Sequence, residues 1–231
     1  MHTVLKSTTL SLLLFAVACG AREENAQQRD DAEPAPPVTP RPAPPPDTQQ
    51  PPEAPAPRPE TRLDTVMVEG TAEVEESRLV TAPAGFAVPF STYVPVGLQS
   101  DIQAPSTVRF TAAFAGNVNR NAYMEVFVYP DGAARPHGAA ILDRLMSERA
   151  AAEHENVPAE RPSWAREATG FRYIGSDGIN FTGSITVGQH GDSYFHVIRH
   201  YPVEYGDGLP PRLHTILRHW RWEDDGRMLM R

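Results

Sequence analysis

The sequence predicts an α+β domain, an antiparallel sheet packed by two helices, preceded by a disordered Pro-rich linker. Three observations lead there. Short runs of alternating apolar and polar residues recur from Leu63 onward, and that is the period of a strand with one buried face. Two other segments space their apolar residues three and four apart, as a helix packed along one stripe does. Ahead of both, residues 34–59 are crowded with proline and hold no Gly, Leu, Ile or Phe, so that stretch cannot bury a core.

In chain order, residues 1–18 come first. Lys6 supplies an early positive charge, Leu10, Leu12, Leu13, Leu14 and Phe15 form a short apolar centre, and Ala16, Val17 and Ala18 follow. That run is too short to cross a bilayer and has the layout of a cleaved export signal. Cys19, the one cysteine in the chain, stands at the cleavage point, so the segment resembles the lipobox of bacterial lipoproteins, with Ala16 where Leu is commoner. The resemblance implies lipidation of the Cys19 thiol, removal of residues 1–18 and acylation of the new amine. Gly20 lacks the aspartate that retains some lipoproteins in an inner membrane, which implies outer-membrane delivery, facing the periplasm. Two or three acyl chains hold a protein stably, where one binds marginally.

Residues 19–61 read as a tether. Its prolines hold it near polyproline II, and forty residues at about 3.1 Å each would span roughly 120 Å. The remainder, 62–231, is expected to be a single globular domain of a size that buries an adequate core. With no cysteine after Cys19, it folds without disulfides. The net charge is -8, without the basic stripe that nucleic-acid binders need, so no nucleic-acid partner is expected. The acids and the arginines are scattered through both parts, and neither charge defines a partner.

Within the domain, strands are expected over 65–69, 73–81, 86–94, 107–115, 122–129, 171–174, 179–187 and 193–201. Ile179, Phe181, Gly183, Ile185 and Val187 against Asn180, Thr182, Ser184 and Thr186 give the cleanest alternation. Its partner follows after residues 188–192, which read as a five-residue hairpin loop. A helix is expected over 138–153, with Ile141, Leu142, Leu145 and Met146 on its buried stripe, and another over 210–222, with Leu213, Ile216, Leu217 and Trp220 inward. Pro210 and Pro211 fit a first turn, with Asp207 or Gly208 as cap.

The run Tyr93-Val94-Pro95-Val96-Gly97-Leu98 is similar to the aromatic, Pro and Gly stretch after the first strand of PsbP-type domains, with Leu98 where that family usually has Trp. The resemblance covers roughly residues 86–222. It implies helices packed on an antiparallel sheet, and a binding module without catalysis.

Candidate chemistry gathers in 196–212. Tyr201, Glu204, Tyr205, Asp207 and Arg212 fall within a dozen residues that join a strong strand to the last helix, where a rigid scaffold could hold a binding loop. The plainer reading pairs Arg212 with Glu204 or Asp207 in a turn leading to the helix. His196 and His200, four apart on a strand, stand about 13 Å apart and cannot share a coordination shell. A metal site from His190, His196, Glu204 and Asp207 is conceivable on donor chemistry, as is a carboxylate pair of Asp177 with Glu204 or Asp207. Three adjacent acids, Glu223, Asp224 and Asp225, could bind Ca²⁺ weakly, but without a loop scaffold they read as a solvated end. No metal and no cofactor are assigned. The expected function is a lipid-anchored cell-envelope protein displaying a non-catalytic binding domain, its partner another envelope protein or cell-wall material. The alternative is a periplasmic hydrolase, metal-dependent or acid/base, using the residues of 196–212.

Overall fold

The computed structural model describes residues 57–151 and 153–230. The signal peptide, Cys19 and all but the last few residues of the tether lie outside them. Eleven strands and two α-helices follow one another as β1 (Thr61–Val68), β2 (Thr71–Thr81), β3 (Phe90–Pro95), β4 (Leu98–Gln103), β5 (Thr107–Phe114), β6 (Asn117–Val128), α1 (Gly138–Glu148), β7 (His154–Val157), β8 (Ala165–Ile174), β9 (Asn180–His190), β10 (Ser193–Pro202), α2 (Leu209–Arg218) and β11 (Arg221–Trp222). A 3-10 turn, Val203–Tyr205, lies between β10 and α2.

The α+β expectation is corrected by this architecture, which is mostly β. Among the described residues there are two antiparallel sheets, a four-stranded one ordered β1-β2-β3-β11 and a seven-stranded one ordered β4-β5-β6-β10-β9-β8-β7. Nor do the two helices share one sheet as joint covers. One face of the large sheet (Val108, Phe110, Met124, Val126, Phe195, Val197) forms a core with Leu213, Ile216 and Leu217 of α2 and with Phe90 and Trp220. α2 also packs against β1 and β3 of the small sheet. The opposite face (Tyr123, Phe171, Phe181, Ile185, Val187, Ile198) packs on Ile141, Leu142, Leu145 and Met146 of α1.

The physical reasons for the difference are local. β3 is buried at all six positions, so it shows no alternation to read, and Phe86 and Val88 ahead of it are core residues in a loop rather than strand. β4 (Leu-Gln-Ser-Asp-Ile-Gln) and β7 (His-Glu-Asn-Val) are edge strands with mostly wet side chains. The second predicted helix stops at Arg218, since Trp220 and Trp222 turn inward and residues 221–222 pair with β3. The loop read at 188–192 shrinks to two residues: His190 pairs with Ser193, and Gly191 takes φ +53, a left-handed value that such short hairpin turns require and glycine adopts freely.

At the small sheet, Asp64 of β1 is buried and accepts from His219 Nε2 at 2.8 Å, with Arg62 and Arg218 nitrogens at 3.2 and 3.3 Å. Arg58, in the last residues read as tether, lies over the Tyr93 ring at 4.4 Å and donates to the Ser91 and His219 carbonyls. Burial lowers its pKa.

Candidate functional site

A groove of about 840 Å³ opens where β7, β8 and β9 meet the 3-10 turn. Tyr173 and Phe181, cross-strand partners on β8 and β9 whose rings stack at 5.1 Å, are among its lining residues, and both side chains are buried. The period-two alternation of both strands sends these two rings to the face that α1 covers. By the same alternation the cross-strand neighbours Glu155, Arg172 and Thr182, and the next pair, Ile174 and Asn180, face the other way, so the groove carries both charges around the exposed Ile174, with Glu153, His154 and Val203 completing the lining.

Beside the two rings, on the α1 side of the sheet, sits His200, fully buried. Its Nδ1 lies 2.8 Å from the Asn121 carbonyl, which can only accept, so Nδ1 carries the proton. Nε2 then accepts from the Tyr173 hydroxyl at 2.6 Å. Burial is the main cause that lowers His200 to about 4, and burial likewise pushes Tyr173 up to about 12. The pair is therefore a neutral hydrogen-bonded unit at physiological pH. Arg149, at the end of α1, extends it by donating to Asn121 Oδ1 and Tyr123 Oη, both at 3.1 Å. Together these contacts hold the sheet behind the groove against α1. They fix the tyrosine's proton inward, toward His200.

A second concavity, of about 480 Å³, lies at the other end of the β8–β9 pair. It is lined by Arg135, Arg161, Arg166, Ser163, Trp164 and Gln189. Arg135 is paired with Glu167 at 2.6 Å. The Gly138 backbone N–H, first, and then Arg135 hold that carboxylate below its ordinary pKa.

The residues singled out in 196–212 do not converge on one point. Tyr201 is half-buried against the α2-side core. Glu204 and Asp207 are exposed and make no side-chain hydrogen bond or ion pair among the described residues. Arg212 pairs with Glu75 and Glu73 of β2 instead, and also donates to the Gly208 carbonyl at 2.7 Å. Tyr205 and Arg212 are brought together through Phe114, whose ring lies 6.0 Å from the Tyr205 ring and 5.1 Å from the guanidinium. The set His190, His196, Glu204 and Asp207 is not assembled either. His190 and His196 point to opposite faces of the large sheet, because Val187, the partner of His196, belongs to the α1-side core. His190 stacks on Trp222 of the other core at 4.6 Å and faces Asp224 and Asp225. Asp177 accepts from the Ile179 N–H within its own turn.

Sequence reasoning missed the groove because its residues read as ordinary strand. Phe181 and Tyr173 carry no signal beyond alternation, and His154 and Glu155 sit on an edge strand that alternation did not reveal. The one pointer was position: Val203, in the stretch already favoured, forms part of the wall.

No protein-family model matches the chain, and no curated protein does. Among solved structures it is similar to a crystal structure from Bacteroides thetaiotaomicron VPI-5482, at 11% identity and a TM-score of 0.40, over 64% of this chain and 49% of that one. The chain thus spans about half the length of that protein. It is also similar to the solution structure of cyanobacterial PsbP (CyanoP) from Synechocystis sp. PCC 6803, at 12% identity and a TM-score of 0.41, over 63% of this chain and 92% of that one. A PsbP-type domain is therefore among its structural neighbours at low identity. Likenesses this slight carry no argument about ligand or activity.

Proposed function

We propose that this chain is a lipid-anchored cell-envelope protein whose β domain is a non-catalytic binding module. Cys19 would carry the lipid, Gly20 favours delivery to the outer membrane, and residues 20–61 would hold the domain away from the membrane on the periplasmic side. The observation that carries the binding role is the groove where β7, β8 and β9 meet the 3-10 turn. Exposed Ile174 and Val203 beside Glu153, Glu155, His154 and Arg172 offer apolar contact, donors and acceptors within one cleft. That mixture suits a segment of another envelope protein, or cell-wall material, more than a ligand of one charge. The strands that carry it are braced from the other face by the Tyr173–His200–Asn121 chain, so little ordering is needed when a partner docks.

Site-specific photocrosslinking in intact cells tests this. A photoreactive residue at Thr182, within the groove, is expected to give one discrete heavier adduct, and the same residue at exposed Arg120 of β6 is not. Equal labelling from both positions, or no adduct from Thr182, would refute the groove as the binding surface.

A further inference from the structure

Nε2 of His190 lies 3.0 Å from each carboxylate oxygen of Asp224 and 3.7 Å from Oδ2 of Asp225. One N–H serves one of those oxygens well. Three oxygens from two carboxylates around a single nitrogen exceed what a hydrogen bond or a simple ion pair needs. We propose that His190, Asp224 and Asp225 form a binding site for a divalent transition-metal cation of the zinc type, with a coordination position left open to solvent.

The spacing fits such an ion. In a tetrahedral shell with ligands at about 2.0–2.1 Å, neighbouring donor atoms stand roughly 3.3 Å apart, and the distances from Nε2, 3.0 and 3.7 Å, bracket that value. One donor atom from each of the three residues can be chosen so that all lie within 4.8 Å of one another. The ion could therefore enter with small side-chain adjustments and no backbone rearrangement. One imidazole nitrogen with two carboxylates also suits zinc and its first-row neighbours better than Ca²⁺ or Mg²⁺, which prefer oxygen alone.

The donors are held in advance. The His190 ring is nine-tenths buried, and Trp222 stacks on it at 4.6 Å and 19°, which fixes the direction of Nε2. The carboxylates belong to a tight turn after β11. There Gly226 N–H donates to the Trp222 carbonyl, Asp225 N–H to Asp224 Oδ1 and Arg227 N–H to Asp225 Oδ1, at 2.9, 3.0 and 2.9 Å. Outer contacts of this kind orient ligands and sustain affinity. Among the described residues, Arg227, with Nε 3.2 Å from Asp225 Oδ2, is the one cation besides His190 that pairs with either aspartate. Its side chain is two-thirds exposed, so it can swing into water. Both aspartates reach solvent, and water or a partner's donor atom would complete the shell. The bound ion would clip the β9–β10 hairpin to the chain beyond β11, segments 34 residues apart.

The test uses the purified, untagged protein stripped with a chelator, then titrated with Zn²⁺ against a chromogenic competitor. One equivalent is expected to bind. The double variant Asp224→Asn, Asp225→Asn, shown folded by circular dichroism, is expected to bind more weakly by over about a hundredfold, since it loses ligands and not merely the outer contacts whose loss costs ten- to a hundredfold. Zn²⁺ should raise the melting temperature of the parent and leave that of the variant unchanged. No binding by the parent, or unchanged affinity in the double variant, overturns the proposal. Should the variant fail to fold, the ¹⁵N signal of His190 Nε2 in the parent decides. A shift complete at one equivalent of Zn²⁺ supports the site, and an unmoved signal overturns it.

Discussion

Lowering the pH from 7 to 5 should remove much of this domain's stability, and two buried histidines set the size of the loss. His196 and His200, both on β10, are pushed by burial to about 3 and about 4. His200 is satisfied on both nitrogens as a neutral ring. His196 has Tyr129 Oη at 3.1 Å from Nδ1 and no partner for Nε2 among the described residues. A bare lone pair is cheaper to bury than a bare N–H, so the His196 proton sits on Nδ1 and is donated to Tyr129. In the unfolded chain both rings titrate near 6.5. Between 6.5 and the folded values the unfolded state binds more protons, so stability is full above that range and falls as the pH drops through it. At pH 5 each ring contributes a loss of about 2 kcal/mol, and the pair about 4 kcal/mol, against a total of roughly 5–15 for an ordinary domain. Urea unfolding followed by tryptophan fluorescence at both pH values measures it. His196→Leu should remove about half of the pH-dependent loss, whatever it does to stability at pH 7. Equal stability at pH 5 and 7, or an undiminished loss in the variant, would refute the burial argument.

Other outcomes follow from single contacts. Asp64→Ala removes the buried carboxylate that His219, Arg62 and Arg218 share, and should cost about 3 kcal/mol in urea unfolding, whereas a loss below 1 kcal/mol would mean the cluster is solvated. Gly183→Ala should cost at least about 2 kcal/mol or block folding, because a Cβ there would stand 2.0 Å from the Arg199 carbonyl oxygen and 2.5 Å from the Phe171 ring; near-parent stability would contradict the close strand approach. Arg212→Ala should cost about 1–2 kcal/mol, through the half-buried pair with Glu75 and the contact with Phe114. Glu75→Ala in the same background should then add little, and full additivity of the two would show that they do not interact.

What was legible in the sequence was whatever depends on local period. Ile185 and Val187 on β9, the Ile141–Met146 stripe of α1 and the Leu213–Leu217 stripe of α2 are buried as their spacing predicts. Partner choice was not legible. Alternation in β1 and β2 says nothing of a separate sheet, β3 is buried throughout, and the sheet change between Pro95 and Leu98 spans two residues, Val96 and Gly97. The same gap hid both sites. Tyr173 meets Phe181 through the β8–β9 register, and His190 meets Asp224 only because a two-residue strand, β11, returns the chain beside β3. Arg212 shows the converse. Its nearest acids in sequence, Glu204 and Asp207, lose to Glu73 and Glu75, which tertiary packing brings closer.

Intact-mass analysis of the mature N-terminus, on protein extracted from its native membrane, tests the anchoring claim most directly. The account predicts a chain that begins at Cys19 and carries diacylglycerol on its thiol, with a further acyl group on the amine. A chain that retains Met1, or one cut elsewhere with an unmodified Cys19, would contradict it.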